Sequence, residues 1–262
     1  MIIDNVRVDR ISQTDALKQA LIWAVGNEQR LIVSINPEGV VLAQKNEFYR
    51  EILNHAALAL ADGVGIIFAG MVLQKKSKVQ GPRSKINISR FTGIDFMCAL
   101  CDEAAKNGWR VYLVGGVGET ARMAAERLRT LFPGLIIEGE EGIPRSGNFQ
   151  FPISNFQTHN DSKLINRINE FQPHFLFVAL GQPKQEIWIA QNLSKMPSVR
   201  AAMGVGGAFD FISGRISRAP LIMRIIGLEW LWRLILQPQR LPRIFNATVG
   251  FAWLVVKERF KR

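Results

Sequence analysis

With 262 residues, 48% hydrophobic and 21% charged side chains, the chain can bury one sizeable core with a small appendage, and its composition excludes a disordered polymer. Cys98 and Cys101, one helical turn apart in an apolar segment without a second pair or a nearby histidine, exclude a disulfide scaffold and a zinc site and read as buried thiols. The formal charge of +11 is concentrated: ten bases against Glu229 and Glu258 from Gly214 onward, and six bases with no acid over Gln74–Arg90, on a slightly acidic body. Such a distribution points to a polyanionic partner, either nucleic acid or an anionic lipid surface.

In chain order, Asp4, Arg7, Asp9 and Arg10 crowd the amino terminus, unlike a secretory leader, so a cytoplasmic location is expected. Leu31–Ile35 predicts a strand, and Asn36-Pro37-Glu38 supplies an N-cap, a proline at the first helical position and an early acid. From Ala56 to Leu73 every residue is apolar or glycine except Asp62, a run nearly long enough to cross a bilayer. An aspartate there costs about 3 kcal/mol on insertion scales. The glycines after it suit a buried strand over Ala57–Leu60, a tight turn, and a helix from Val64. Gln74–Ser89 reads as a basic loop, and Thr92-Gly93-Ile94-Asp95 as a capping box before a helix over Phe96–Asn107. Further strands are predicted at Arg110–Val114, Leu135–Glu138, Phe175–Leu180 and Arg200–Gly204, with a polar excursion over Gly142–Asn160.

This alternation predicts a Rossmann-like α/β fold with a largely parallel sheet flanked by helices. The expected division is a catalytic core over residues 1–213 and a helical, basic, membrane-associating appendage over 214–262. In the appendage, Leu221–Leu236 is apolar apart from Arg224, Glu229 and Arg233 and carries Trp230 and Trp232, while Pro238 and Pro242 interrupt it. Ala247–Val256 is too short to span a bilayer. Aromatic residues among arginines fit an interfacial membrane segment, and equally a helical cap with its arginines in water.

Several junctions carry candidate chemistry. Gly115-Gly116-Val117-Gly118-Glu119-Thr120-Ala121 follows a strand and opens a helix; Gly116, Gly118 and Ala121 match G-x-G-x-x-A, with Glu138 near the usual acidic position. That pattern suits a dinucleotide, another nucleotide diphosphate, or a purely structural turn. Asp62, after a wholly apolar strand, is placed either as a general base or as the cap of the following helix. Ser34 and Asn36, ending the preceding strand, would face the same crevice. Gly181-Gln182-Pro183-Lys184-Gln185-Glu186 and Gly204-Val205-Gly206-Gly207 form two more strand-to-helix junctions. Neither a D-x-D pair, H-E-x-x-H nor a P-loop lysine occurs, and His55, His159 and His174 stand alone, so no metal and no cofactor is expected. An NAD(P)-dependent oxidoreductase and a basic nucleic-acid-binding protein are the alternatives these motifs leave open.

Taken in order, Ile35-Asn36-Pro37-Glu38, Ala61-Asp62-Gly63-Val64-Gly65, Arg90-Phe91-Thr92-Gly93-Ile94-Asp95, Gly181–Glu186, Gly204–Asp210 and Gly227-Leu228-Glu229-Trp230-Leu231-Trp232-Arg233 resemble the WecG/TagA/CpsF glycosyltransferase family over about residues 2–245. The resemblance implies an inverting, metal-independent transfer of N-acetylmannosamine, its uronic acid or a related hexose. The donor would be a UDP-sugar and the acceptor a polyprenyl-diphosphate-linked sugar, at the inner face of the cell membrane, in cell-surface polysaccharide synthesis. By motif position it makes Asp62 the catalytic residue and places Asn36, Arg90 and Gln185 at the substrates. Ser34 keeps the hydroxyl of the family's threonine, and Arg233, Arg240 and Arg243 fall near the UDP diphosphate, as would amides of the turn bearing Gly115, Gly116 and Gly118. The implied partners are the two sugar substrates and an anionic membrane, not nucleic acid; a homo-oligomer is compatible with the pattern.

Overall fold

Near the amino terminus, β1 (Ile2–Ile3) and β2 (Val6–Arg7) pair antiparallel across Asp4 and Asn5, both at positive φ. Two consecutive left-handed residues form the turn whose twist matches a hairpin, and Asp and Asn tolerate that conformation best after glycine. The chain then runs through α1 (Gln13–Val25), β3 (Arg30–Ile35), α2 (Pro37–Lys45), α3 (Glu47–His55), β4 (Leu58–Ala61) and α4 (Val64–Leu73). Beyond these come α5 (Gly93–Asn107), β5 (Arg110–Gly115), α6 (Thr120–Leu131), β6 (Ile136–Glu140), α7 (His159–Phe171), β7 (Phe175–Ala179), α8 (Lys184–Asn192), β8 (Ala201–Gly204) and α9 (Ala208–Ile212). The last elements are α10 (Leu221–Ile225), α11 (Glu229–Leu236) and α12 (Leu241–Lys261). This is a computed structural model, and it describes residues 1–73, 92–141 and 159–261. The basic loop 74–89 and most of the polar excursion, 142–158, lie outside the described residues.

Strands β3 to β8 form one sheet in the order β4-β3-β8-β7-β5-β6. The pairs β3–β4, β5–β6, β5–β7 and β7–β8 all run parallel, so the expected Rossmann-like α/β architecture is present. Strands β4, β7 and β8 are buried along their whole length, which explains their unbroken apolar runs. Strand β6, at the sheet edge, alternates exposed and buried positions at its start and can therefore carry Glu138 and Glu140.

By contacts the chain divides into two units. The first comprises Met1–Lys18, Ile32–Phe96 and Ile216–Arg262, so the carboxy-terminal helices group with the residues around Asp62. Within it α12 packs on α2 and α4, burying Phe251 and Val255. Gly65 makes room for the ring of Pro37, since a Cβ there would stand 2.9 Å from Pro37 Cγ, while Phe251 Cε1 at 3.8 Å would be in ordinary contact. Gly227, at φ +80, lets the bend between α10 and α11 lie directly on Val64.

Helix α12 is longer than the prolines suggest. Pro242 sits in its first turn, where the missing N–H has no helical partner to lose, so it starts the helix instead of breaking it.

The second unit comprises Gln19–Leu31 and Met97–Arg215. Its core packs Tyr112, Leu176 and Val178 of the sheet against Ile168 and Phe171 of α7 and Trp188 of α8, all buried. Gly139 is a close approach of β6 to α6, since a Cβ there would collide with the Ala121 carbonyl.

Candidate functional site

In the first unit the parallel register sets Ser34 opposite Leu60 and Ile35 opposite Ala61. The ladder continues one step beyond β4, because the Asp62 N–H donates to Ile35 O at 2.8 Å. Ser34, buried, donates its hydroxyl to Asp62 Oδ2 at 3.3 Å. Gly63, at φ +87, then turns the chain into α4. A positive φ is strained for a residue with a Cβ, so this glycine is what turns the backbone directly after the acid. The outcome is a half-buried carboxylate fixed by its own backbone and one hydroxyl at the carboxyl end of a parallel strand, where ligands of open α/β sheets collect.

Asn36 has the capping role read from Asn36-Pro37-Glu38: its Oδ1 accepts from Gly39 N at 2.8 Å, and Pro37 opens α2. With that oxygen committed, a hydrogen bond from Asn36 to a ligand comes from its NH2 group. Thr92 and Asp95 also cap as expected, Thr92 Oγ1 accepting from Asp95 N at 3.2 Å, and α5 begins at Gly93, three residues before the predicted Phe96. Arg233 is on α11, and Arg240 ends the short turn before α12, with its Nε on Gln237 Oε1. Arg90 and the side chain of Arg243 lie outside the described residues.

In the second unit, β5 and β7 are adjacent, yet the chain leaves β5 through α6 toward β6 and leaves β7 through α8 toward β8. Connections departing in opposite directions open a crevice at the carboxyl ends of that pair, the switch point where such sheets hold nucleotides. Both lips carry glycine. Gly115, at φ +108, approaches so closely that a Cβ would lie 2.7 Å from Ala179 O, and Gly116 N donates to the same oxygen at 3.1 Å. Gly118, at φ +56, donates its N–H to Glu141 Oε1 at 3.1 Å. Of the three glycines, Gly118 is thus the one whose amide already faces a carboxylate.

On the other lip the Gln182–Pro183 peptide is cis and leads into α8. Gln185 is almost wholly buried, at 2% exposure. Its Oε1 accepts from Gly181 N at 3.2 Å and Gly206 N at 2.9 Å, while its Nε2 donates to Glu186 Oε1 at 2.7 Å. Gly204 leaves the space for this side chain, since a Cβ there would be 2.6 Å from Gln185 Nε2. Gln185 is therefore a clasp between the turns that follow β7 and β8. Replacing it with leucine, similar in volume, should lower stability by about 2–4 kcal/mol, because two glycine amides lose their acceptor. Urea unfolding of Gln185→Leu measures this, and an unchanged midpoint would contradict the clasp.

The remaining candidates are structural. His174 Nδ1 accepts from Arg110 N at 3.2 Å, and burial, helped by Arg200 and Arg110, holds its pKa below the ordinary value. Burial pushes the Cys101 thiol well up, with Cys98 adding to it, which leaves it protonated and unreactive. Glu138, the acidic position of the dinucleotide pattern, lies exposed in mid-strand opposite Tyr112, while Glu140, at the strand end, receives Tyr112 OH and a two-pronged Arg167. Sequence reasoning did not single out Glu141 or Glu186. Glu186 adjoins Gln185 in sequence and Glu141 is 23 positions from Gly118, and only the fold shows that their carboxylates meet these residues.

An acid held at the end of an apolar parallel strand beside a buried hydroxyl is placed as a proton acceptor for a group-transfer reaction. The profile of the Glycosyl transferase WecG/TagA/CpsF family matches residues 1–262, the whole sequence. The chain belongs to that family and is a glycosyltransferase of cell-surface polysaccharide synthesis.

Proposed function

We propose that the protein transfers N-acetylmannosamine, its uronic acid or a related hexose from a UDP-sugar to a polyprenyl-diphosphate-linked sugar, with inversion and without a metal. The placement of Asp62 carries this reading. Held by Ile35 O and by Ser34, its carboxylate takes the proton of the acceptor hydroxyl while that oxygen bonds to the anomeric carbon. The bond from that carbon to the UDP oxygen breaks on the opposite face, and the electron pair leaves with the diphosphate.

Arg233, Arg240 and Arg243 are assigned to that growing charge, with Arg90 and the NH2 of Asn36 as further polar contacts to the sugars. The turn bearing Gly115, Gly116 and Gly118 is assigned to the donor nucleotide, and Gln185 acts there by holding the Gly181 and Gly206 turns in shape. Membership of a glycosyltransferase family removes the ground for the oxidoreductase alternative.

The carboxy-terminal appendage is proposed to rest on an anionic membrane. Among the described residues no helix is long and apolar enough to cross one. Yet Phe245, Val249, Trp253, Val256 and Phe260, spaced by three or four, form an exposed apolar stripe along α12, opposite the buried Phe251 and Val255. Lys257 and Arg259 stand exposed beside it. Phe68 and Met71 of α4 and Leu221, Ile222 and Ile225 of α10 are exposed in the same unit. An exposed apolar face flanked by bases is the composition of an interfacial helix.

The deciding experiment is mass spectrometry of the product from a panel of UDP-sugars and a short-chain polyprenyl-diphosphate-linked acceptor. The expected result is one hexose added, with release of UDP, in the presence of a chelator. A panel in which no UDP-sugar reacts, while another nucleotide-sugar does, would overturn the donor assignment.

A further inference from the structure

Arg218 lies on the stretch between α9 and α10, and its side chain is three-quarters buried. Its Nη2 is 2.7 Å from Asp95 Oδ1, and its Nε is 3.5 Å from Glu229 Oε1. Asp95 belongs to the first turn of α5, where its other oxygen receives the Thr92 hydroxyl at 2.5 Å; Glu229 is the first residue of α11. The flanking residues are held as well. Ser217 O accepts from Trp232 Nε1 at 2.9 Å, and Ala219 is buried. One guanidinium thus joins two helix starts that are 134 positions apart in the sequence, counted from Asp95 to Glu229. Its charge is matched by two acids, so it serves the fold and is not a spare anion receptor.

We infer that Arg218 is a positioning residue for the transfer reaction: it fixes α11, and with it Arg233, against the first turn of α5. The inference rests on the proposal that Arg233 meets the donor diphosphate. Without the guanidinium, Asp95 and Glu229 lose the opposite charge they share, and the ion-pair link between the first turn of α5 and the start of α11 is gone. Lysine restores the charge but not a planar fork able to span both acids.

The test is calorimetric titration of UDP into the full-length protein, with thermal midpoints measured alongside. Arg218→Ala is expected to weaken UDP binding about tenfold, Arg218→Lys to recover part of the loss, and Arg218→Ala in an Arg233→Ala background to add nothing further. Glu229→Gln, which loosens one arm only, should show a smaller loss of the same kind and keeps the inference testable if Arg218→Ala does not fold. Unchanged UDP affinity in both Arg218→Ala and Glu229→Gln, or losses that add to that of Arg233→Ala, would overturn it. If Arg233→Ala alone leaves UDP binding unchanged, the diphosphate reading fails first, and that variant identifies the failure because it leaves Arg218 intact.

Discussion

Asp62→Asn is expected to lower turnover by about a hundred- to ten-thousandfold, the range set by removing a positioned general base, while the thermal midpoint stays near that of the parent. Asparagine has the shape of aspartate and keeps the backbone bond to Ile35 O, and its amide still offers an oxygen to Ser34. What it loses is the ability to take a proton from the acceptor hydroxyl. UDP release measured under saturating substrates isolates that loss, because kcat falls while UDP affinity does not. Turnover close to the parent would mean that Asp62 is a structural acid and that the base lies elsewhere.

The second large effect concerns the membrane. Phe245→Ser, Trp253→Ser and Phe260→Ser combined should weaken association with anionic vesicles by about a hundredfold or more. If each of the three side chains half-inserts, about 1 kcal/mol is lost at each position. The fold should tolerate the change, since these residues point away from the face on which Phe251 and Val255 are buried. Cosedimentation with vesicles containing phosphatidylglycerol reads the outcome. Raised salt should weaken the parent too, through Lys257 and Arg259. A triple variant that sediments like the parent would show that this face of α12 is not the docking face. Removing the whole appendage is a poorer experiment, because α12 also covers α2 and α4.

The strands of the sheet were legible because strands buried on both faces need unbroken apolar runs, and each run here ends at a glycine, proline or Asn-Pro signal. The hairpin of β1 and β2 escaped because two-residue strands carry no periodicity, although Asp4-Asn5 was a usable turn signal. The length of α12 was hidden by Pro242, whose meaning depends on a position in the first turn that only a helix start reveals.

The site was legible to a different extent. Asp62 stood out because charge inside an apolar run is costly and therefore informative. The clasp made by Gln185 did not, since hydrogen bonds between one side chain and two separate turns depend on burial and on the fold, which neighbouring residues do not encode. Arg218 had no local signature at all: its two acids are separated from each other by most of the second unit's sequence.

Gly65, Pro37 and Phe251 meet within a few ångströms although they come from three distant stretches of the chain. The proline ring is tolerated because position 65 has no Cβ, whereas Phe251 lies at ordinary contact distance, so in variation positions 37 and 65 behave as a single character. A relative carrying alanine at the position of Gly65 must have shifted or given up the proline ring. Exchange of the Asn36-Pro37-Glu38 turn between relatives should then succeed only when the residue at position 65 travels with it.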